Sequence, residues 1–209
     1  MREIELLPPG DIEKESFRII GEELKERGIT LDPELEPVIK RAIHTTADFD
    51  YAETLVFSDG AIDKMRELIK SGADIVTDTN MAFSGINKKR LASYGGEVRC
   101  FMADPDVAEE AKERGITRAS VSMEKAAKLE KPVIFAIGNA PTALITLNEM
   151  AEKGIYRPAF VIGVPVGFVN VEAAKELILA SDIPHIVNRG RKGGSNLAAA
   201  IVNAVLYNM

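Results

Sequence analysis

The sequence has few of the residues on which many cross-links and metal sites depend. Among its 209 residues there are one cysteine, Cys100, two histidines, His44 and His185, and no tryptophan. A single thiol excludes an internal disulfide and a cage of cysteines around a metal, so we expect no metal site. No apolar run reaches the roughly 18 residues of a membrane helix, and residues 1–7 lack the apolar core of a signal peptide. We therefore expect a cytoplasmic protein with no membrane partner.

The charge balance of the chain is acidic. There are 26 basic and 32 acidic residues, which gives a net charge of −6 at pH 7. This average argues against a nucleic-acid partner, because affinity for nucleic acids comes from Lys and Arg on phosphates. It also disfavours an anionic substrate, unless the cations are concentrated at one place. The hydrophobic share of 46% and the length predict a single globular domain over residues 1–209.

Apolar periodicity predicts an α/β fold. Helical spacing over 11–28, 33–46 and 61–71 predicts helical additions on the N-terminal side. Beyond residue 72, short apolar runs alternate with helical stretches, as in parallel βαβ units. The predicted strands are 74–77, 98–103, 132–137, 159–164 and 185–188, and the predicted helices are 87–94, 106–114, 123–129, 141–153, 171–180 and 195–207. The pattern predicts a three-layer α/β/α fold with a mainly parallel, Rossmann-like sheet of about five strands.

A basic, glycine-rich loop follows the last predicted strand. Arg189, Arg191 and Lys192 place three cations within four residues, and Gly193-Gly194-Ser195 leads into the final helix. Ligands of open parallel sheets bind past the carboxyl ends of the strands. A helix N-terminus offers free N–H groups to an anion, and guanidinium groups bind carboxylate or phosphate. We therefore predict an anion site here. The alternative is a solvated basic loop in which Ser195 caps the helix.

The two histidines differ in their expected surroundings. On a helical wheel His44 projects nearly opposite the apolar stripe of its helix, and Arg41 lies on a neighbouring part of the same face. His44 therefore faces water, which is the usual outcome, or it faces a ligand with which an imidazole exchanges a proton near pH 7. His185 begins a strand at the edge opposite the ligand side, which indicates a structural role.

Other candidate motifs are weak. No G-x-G-x-x-G follows the first predicted strand, and G-x-x-x-x-G-K-[ST] does not occur, so a nucleotide site has no support. Asp48, Asp50 and Asp59 are close in sequence and are candidates for paired catalytic carboxylates, although turns and helix ends use the same residue type. Cys100 lies in a predicted strand, where it is expected to be a small buried side chain.

Several stretches, in order along the chain, resemble one family. The most specific are I-G-N-A-P-T-A-L at 137–144 and G-V-P-V-G-F-V at 163–169. The others are E-S-F-R-I-I at 15–20, R-A-I-H at 41–44, T-D-T-N-M at 77–81, A-D-P at 103–105, G-I-T-R at 115–118 and R-G-R-K-G-G-S at 189–195. From residue 10 onward the chain resembles the precorrin-8X methylmutases, also called cobalt-precorrin-8 methylmutases, of corrin (vitamin B12) biosynthesis.

The resemblance implies an isomerase that moves a methyl group from C11 to C12 of the corrinoid ring, giving hydrogenobyrinate or its cobalt form, cobyrinate. It implies a homodimer that needs no cofactor, since any cobalt belongs to the substrate. His44 corresponds to the family histidine that exchanges a proton with the ring C nitrogen. Ser16 and Arg41 correspond to substrate-binding positions, Arg118 lies in a matching active-site motif, and Asn139 in the most specific block is a further expected substrate contact.

The chemistry of such a substrate agrees with the residues. A flat macrocycle with several carboxylates needs cations, small residues near the ring and one positioned acid. Arg189, Arg191 and Lys192 are expected to bind the carboxylates together with Gly193-Gly194-Ser195, and His44 is the expected acid. Two other interpretations remain: a carrier that binds a corrinoid without converting it, and a nucleotide-dependent α/β enzyme.

Overall fold

The computed structural model describes residues 8–209, and the expectation for residues 1–7 lies outside this range. Six strands form one sheet in the order β1-β6-β5-β4-β2-β3. They are β1 (Leu55–Phe57), β2 (Asp74–Thr77), β3 (Val98–Arg99), β4 (Val133–Ile137), β5 (Phe160–Gly163) and β6 (His185–Asn188). Five of them are parallel, and β1 pairs antiparallel with β6 at one edge. The predicted class, α/β with a mainly parallel sheet, is confirmed.

Helices cover both faces of the sheet. They are α1 (Pro9–Glu26), α2 (Glu36–Thr46), α3 (Tyr51–Thr54), α4 (Ala61–Lys70), α5 (Asn80–Gly85), α6 (Lys88–Ala92), α7 (Pro105–Arg114), α8 (Arg118–Ala126), α9 (Pro141–Glu152), α10 (Val171–Ala180) and α11 (Ser195–Tyr207). Among the described residues, no helix combines the length and the apolar character that crossing a bilayer requires.

The central strands are buried on both faces because an apolar core lies on each side of the sheet. In β4, Ile134 and Ala136 pack into the core that α2, α4 and α11 share. Val133, Phe135 and Ile137 pack into the other core, with α8, α9 and α10. Successive side chains of a strand point to opposite faces. This alternation produces the predicted three layers and makes the parallel strands continuous apolar runs in the sequence.

The structure differs from the predicted elements where the sequence pattern is short. β1 raises the number of strands from about five to six, and its three residues are too few to show a period. The strand predicted over 98–103 ends at Arg99, so Cys100 lies outside it and is half-buried rather than buried. α8 begins at Arg118, before the predicted start at 123, because the Thr117 side chain accepts the Ser120 N–H and caps the helix.

Candidate active site

The carboxyl ends of β2 and β4 form the natural ligand crevice of this sheet. The two strands are neighbours, but the chain passes from β2 to β3 on one side and from β4 to β5 on the other. Such a change of direction opens a crevice past the strand ends, where open α/β sheets bind ligands. Asp78 and Thr79 follow β2, and Gly138 and Asn139 follow β4. The predicted site residues can therefore be located relative to this edge.

A buried carboxylate fixes the loop after β4. Asp78, which is 1% exposed, accepts hydrogen bonds from the backbone N–H groups of Gly138, Asn139 and Ala140. The N···O distances are 2.9, 2.8 and 2.6 Å. Burial raises the pKa of Asp78, and the three N–H donors oppose that rise. The carboxylate thus holds the turn on which the side chain of Asn139 is exposed.

We expect Asp78→Asn to lower the free energy of unfolding by about 2–3 kcal/mol. Asparagine has one acceptor oxygen, and its NH2 group would face a backbone N–H that it cannot satisfy. Urea denaturation measures the change. The matched control is Asp59→Asn, on the exposed turn before α4, which we expect to change the same quantity by less than about 0.5 kcal/mol. An unchanged unfolding midpoint for Asp78→Asn would contradict this role of the carboxylate.

The glycines of the basic loop pack against the end of β5. A Cβ atom at Gly193 would lie 2.1 Å from the carbonyl oxygen of Val164, so this close approach requires glycine. The N–H of Gly194 donates to the same carbonyl oxygen over 2.9 Å. The N–H of Gly194 is therefore occupied, contrary to the expectation that this loop presents free N–H groups. Whether Gly193 and Gly194 contact the substrate stays a prediction.

The start of α11 lies beside the end of β2. Ser195 is the first residue of α11, and its Oγ accepts a 2.8 Å hydrogen bond from the Thr79 hydroxyl. The N-cap is Gly194, so the alternative in which Ser195 caps the helix is wrong. Among the described residues no side chain caps α11. The N–H groups of its first turn therefore remain available at the crevice.

Two cations of the basic loop already have carboxylate partners. Lys192 Nζ donates to Asp48 and Asp50 at 2.6 and 2.5 Å. The two carboxylates raise the pKa of Lys192, and Lys192 lowers the pKa of Asp48. Arg191 Nε lies 3.1 Å from the Glu172 carboxylate. Of the three cations that were expected to be open to an anion, Arg191 and Lys192 are thus paired. Asp48 and Asp50, two of the candidate catalytic carboxylates, are ion-pair partners of Lys192.

Two predicted site arginines are exposed and have no carboxylate partner within residues 8–209. Arg189 follows β6, and Arg118 begins α8. The start of α8 lies close to the start of α9, since the hydroxyls of Thr117 and Thr142 are 2.9 Å apart. Arg118 therefore belongs to the helical layer of α8, α9 and α10, on the opposite face of the sheet from α2 and α11.

His44 is exposed near the end of α2, as the helical wheel predicts. Its ring stacks on that of Phe17 in α1, with the centroids 5.3 Å apart and the planes inclined by 21°. The Arg41 guanidinium lies 4.8 Å from the centroid of the same Phe17 ring and pairs with Glu13. Ser16 precedes Phe17, and its hydroxyl donates to a backbone carbonyl one turn earlier. Phe17 thus links three of the predicted site residues, a role that the periodicity of α1 does not reveal.

A groove of about 440 Å³ extends from α2 to α11. Its walls include Arg41 and Thr45 of α2, Met81 of α5, and Asn196 and Tyr207 of α11. Within residues 8–209 no three His, Cys, Asp or Glu side chains are arranged to hold a metal. Arg41, one of the predicted substrate-binding residues, therefore lies in the same groove as Asn196 at the start of α11.

A sequence profile of the precorrin-8X methylmutase family matches residues 11–208. The chain belongs to this family. The cobalt-precorrin-8 methylmutase of Salmonella typhimurium is 45% identical over 207 residues, which is 96% of each protein. The precorrin-8X methylmutase of Pseudomonas aeruginosa is 38% identical over 196 residues, which is 93% of each. The solved structure of the methylmutase from Thermus thermophilus matches with a TM-score of 0.84 and 40% identity, over 94% of this chain and 96% of that one.

Membership of the precorrin-8X methylmutase family confirms two predictions from the sequence. The first is the resemblance itself, which extends over nearly the whole chain. The second is the class of enzyme, a methylmutase, that is, an isomerase of cobalamin biosynthesis. A corrinoid substrate is consistent with this family. The roles of the individual site residues and the extent of the single domain stay predictions.

Proposed function

We propose that this chain moves a methyl group from C11 to C12 of precorrin-8X or cobalt-precorrin-8, with His44 as proton donor and acceptor. Relatives of this chain carry both substrate names. The observation that carries the proposal is the double ion pair of Lys192 with Asp48 and Asp50. It fastens the segment just after α2 to the basic loop. This link supports a site in which His44 and the cations of the basic loop act on the same substrate.

The proposed mechanism needs no co-reactant. His44 gives a proton to the ring C nitrogen, and the positive charge withdraws electron density from the conjugated ring. The C11–methyl bond breaks while the C12–methyl bond forms, in a formal [1,5]-sigmatropic shift, and the proton then returns to His44. A positioned general acid contributes about 10²–10⁴-fold to the rate. Holding the substrate in the reactive conformation supplies most of the remainder.

The substrate carboxylates have several candidate partners. Arg189 and Arg118 are exposed cations, and the first turn of α11 adds N–H donors. Arg41 and Arg191 pair with glutamates that are themselves exposed. The Arg191–Glu172 pair is exposed on both sides, and such pairs contribute about 0–1 kcal/mol, so a substrate carboxylate can replace Glu172 at little cost. Ser16 and Asn139 are the proposed polar contacts.

We also propose that the protein acts as a cytoplasmic homodimer without a cofactor of its own. Phe168 and Val169, in the loop after β5, are 82% and 76% exposed. Large apolar side chains exposed side by side are typical of a surface that a partner or ligand covers. Sedimentation equilibrium measures the subunit number, and a monomer at micromolar concentration would contradict the dimer.

The test of the proposed reaction is single-turnover conversion. Purified protein in excess is mixed with precorrin-8X or with cobalt-precorrin-8, and the absorption spectrum is followed with time. We expect conversion of at least one of the two to hydrogenobyrinate or cobyrinate, confirmed by chromatography. A stable coloured complex without conversion would instead indicate a carrier. Thermal stabilisation by ATP or NAD, with none by corrinoids, would indicate a nucleotide-dependent enzyme.

A further inference from the structure

A lysine is completely buried beneath the basic loop. Lys175 of α10 is 0% exposed, and its Nζ donates to the carbonyl oxygens of Gly190 and Lys192 at 2.7 and 2.8 Å. Among residues 8–209 no carboxylate lies within ion-pair distance of this Nζ. Burying a charge costs free energy unless the charge is paired. The burial of the Lys175 ammonium, with two backbone carbonyls as its partners, therefore needs a physical reason.

The two carbonyls hold the basic loop at two points. Gly190 and Lys192 flank Arg191, so Lys175 fixes the backbone on both sides of that residue. The side-chain amide of Asn188 donates to the same Lys192 carbonyl oxygen over 3.0 Å. The loop joins β6 to α11, and its backbone sets the direction of the Arg189 side chain and of the first turn of α11. Both are proposed partners of substrate carboxylates.

The charge of Lys175 is sensitive to pH. Burial lowers the pKa of Lys175 to about 8, and the field of Glu172 on the same helix opposes this shift. Among the described residues, Glu172 is the one charged group whose field shifts this pKa, and Arg191 and Lys192 of the loop are directed to carboxylates. The ammonium is therefore largely charged at pH 7 and largely neutral at pH 9.

We infer that Lys175 is a positioning residue of the proposed methylmutase site, because its buried ammonium fixes the loop that presents Arg189 and the start of α11 to the substrate. The inference rests on the proposed function. Lys175 is buried and does not itself contact a ligand in the crevice. It acts through two backbone carbonyls, and its positive charge beneath the loop adds to the attraction for an anionic substrate.

The first test is Lys175→Met, with Lys153→Met on the exposed end of α9 as the matched control. Methionine has a similar length and no charge, but it leaves the Gly190 carbonyl oxygen without the donor that Lys175 provides, which costs about 1–3 kcal/mol. We therefore expect a melting temperature below that of the wild type. We expect KM for the corrinoid to rise about 10–100-fold, since hydrogen bonds from a charged donor are lost, with little change in kcat. The control should keep the wild-type KM.

The second test is the pH dependence of KM. In the wild type, KM should rise between pH 7 and pH 9 as the ammonium of Lys175 loses its proton. In Lys175→Met this rise should be absent. If Lys175→Met does not fold, Lys175→Gln retains N–H donors without the charge, and the same loss of the alkaline rise is expected of it.

The outcomes separate this inference from the proposed function. If the wild type does not convert the corrinoid, the proposed function fails first. If the wild type converts it, and the variant shows a lowered melting temperature with an unchanged KM and an unchanged pH profile, Lys175 is structural and the inference is overturned. A raised KM without the alkaline rise supports the inference, whether or not the melting temperature falls.

Discussion

His44→Ala is expected to bind the corrinoid substrate and to turn it over at about 10⁻²–10⁻⁴ of the wild-type rate. The imidazole is the group that exchanges a proton with the ring C nitrogen in the proposed mechanism, so its loss should lower kcat and leave KM nearly unchanged. Stopped-flow absorption measures the conversion in a single turnover. A titration of the bound spectrum measures the affinity. The same rate constant for the variant and the wild type would exclude His44 as the acid.

A second variant at this position separates chemistry from packing. The His44 ring stacks on Phe17, and an aromatic pair contributes about 0.5–1.5 kcal/mol. His44→Phe keeps an aromatic ring at this place but has no exchangeable proton. We expect it to have the wild-type melting temperature and the same low turnover as His44→Ala. Recovery of activity in His44→Phe would mean that the ring stack, and not proton transfer, is what the reaction needs.

Gly138→Ala is expected to open the site and to destabilise the fold. A Cβ atom there would lie 2.6 Å from Ser195 Cα and 2.8 Å from the Gly194 carbonyl oxygen. Both contacts are with backbone, so the start of α11 must move away from β4. Overpacking of this kind costs about 1–3 kcal/mol, and a displacement of about 1 Å lowers activity about 100-fold. Thermal unfolding and kcat/KM measure the two effects.

The matched control for that substitution is Gly10→Ala. Gly10 lies in α1, and no atom lies within 4 Å of an added Cβ there. Alanine is the better helix former, so the free energy of unfolding should be unchanged or rise by up to about 1 kcal/mol. Wild-type stability and activity in Gly138→Ala would show that α11 can move without consequence and would contradict the close contact between β4 and α11.

The parallel part of the fold can be predicted from the sequence because its strands are buried on both faces. β2 and β6 end where the apolar runs end, and α10 and α11 have the predicted bounds. β1 and β3 lie at the edges of the sheet and have three and two residues. β1 pairs with β6, which is distant in sequence, and no local period records it. β3 forms only two register pairs with β2, so the sequence pattern predicts where β3 begins but not where it ends.

The candidate site could be predicted only in part, for a similar reason. The outward direction of His44 follows from the helical period, and the position of the basic loop follows from the order of the strands. The partners of Lys192 could not be predicted, because Asp48 and Asp50 are far from it in sequence. The burial of Asp78 could be predicted, because this residue directly follows a fully buried strand. Its three N–H donors could not, because they belong to the loop after β4.

The packing of α2 against α11 has a consequence for the synthesis of the protein. α2 carries His44, yet its apolar face lies on the last helix, and within residues 8–209 β1 pairs with the last strand alone. While the ribosome is still translating the chain, α2 can contact α1 and α3, but the surfaces that α11 and β6 provide are not yet available. The contact between α2 and α11 therefore forms only after α11 has left the ribosome, and we expect a nascent or prematurely terminated chain to lack the proposed proton transfer by His44.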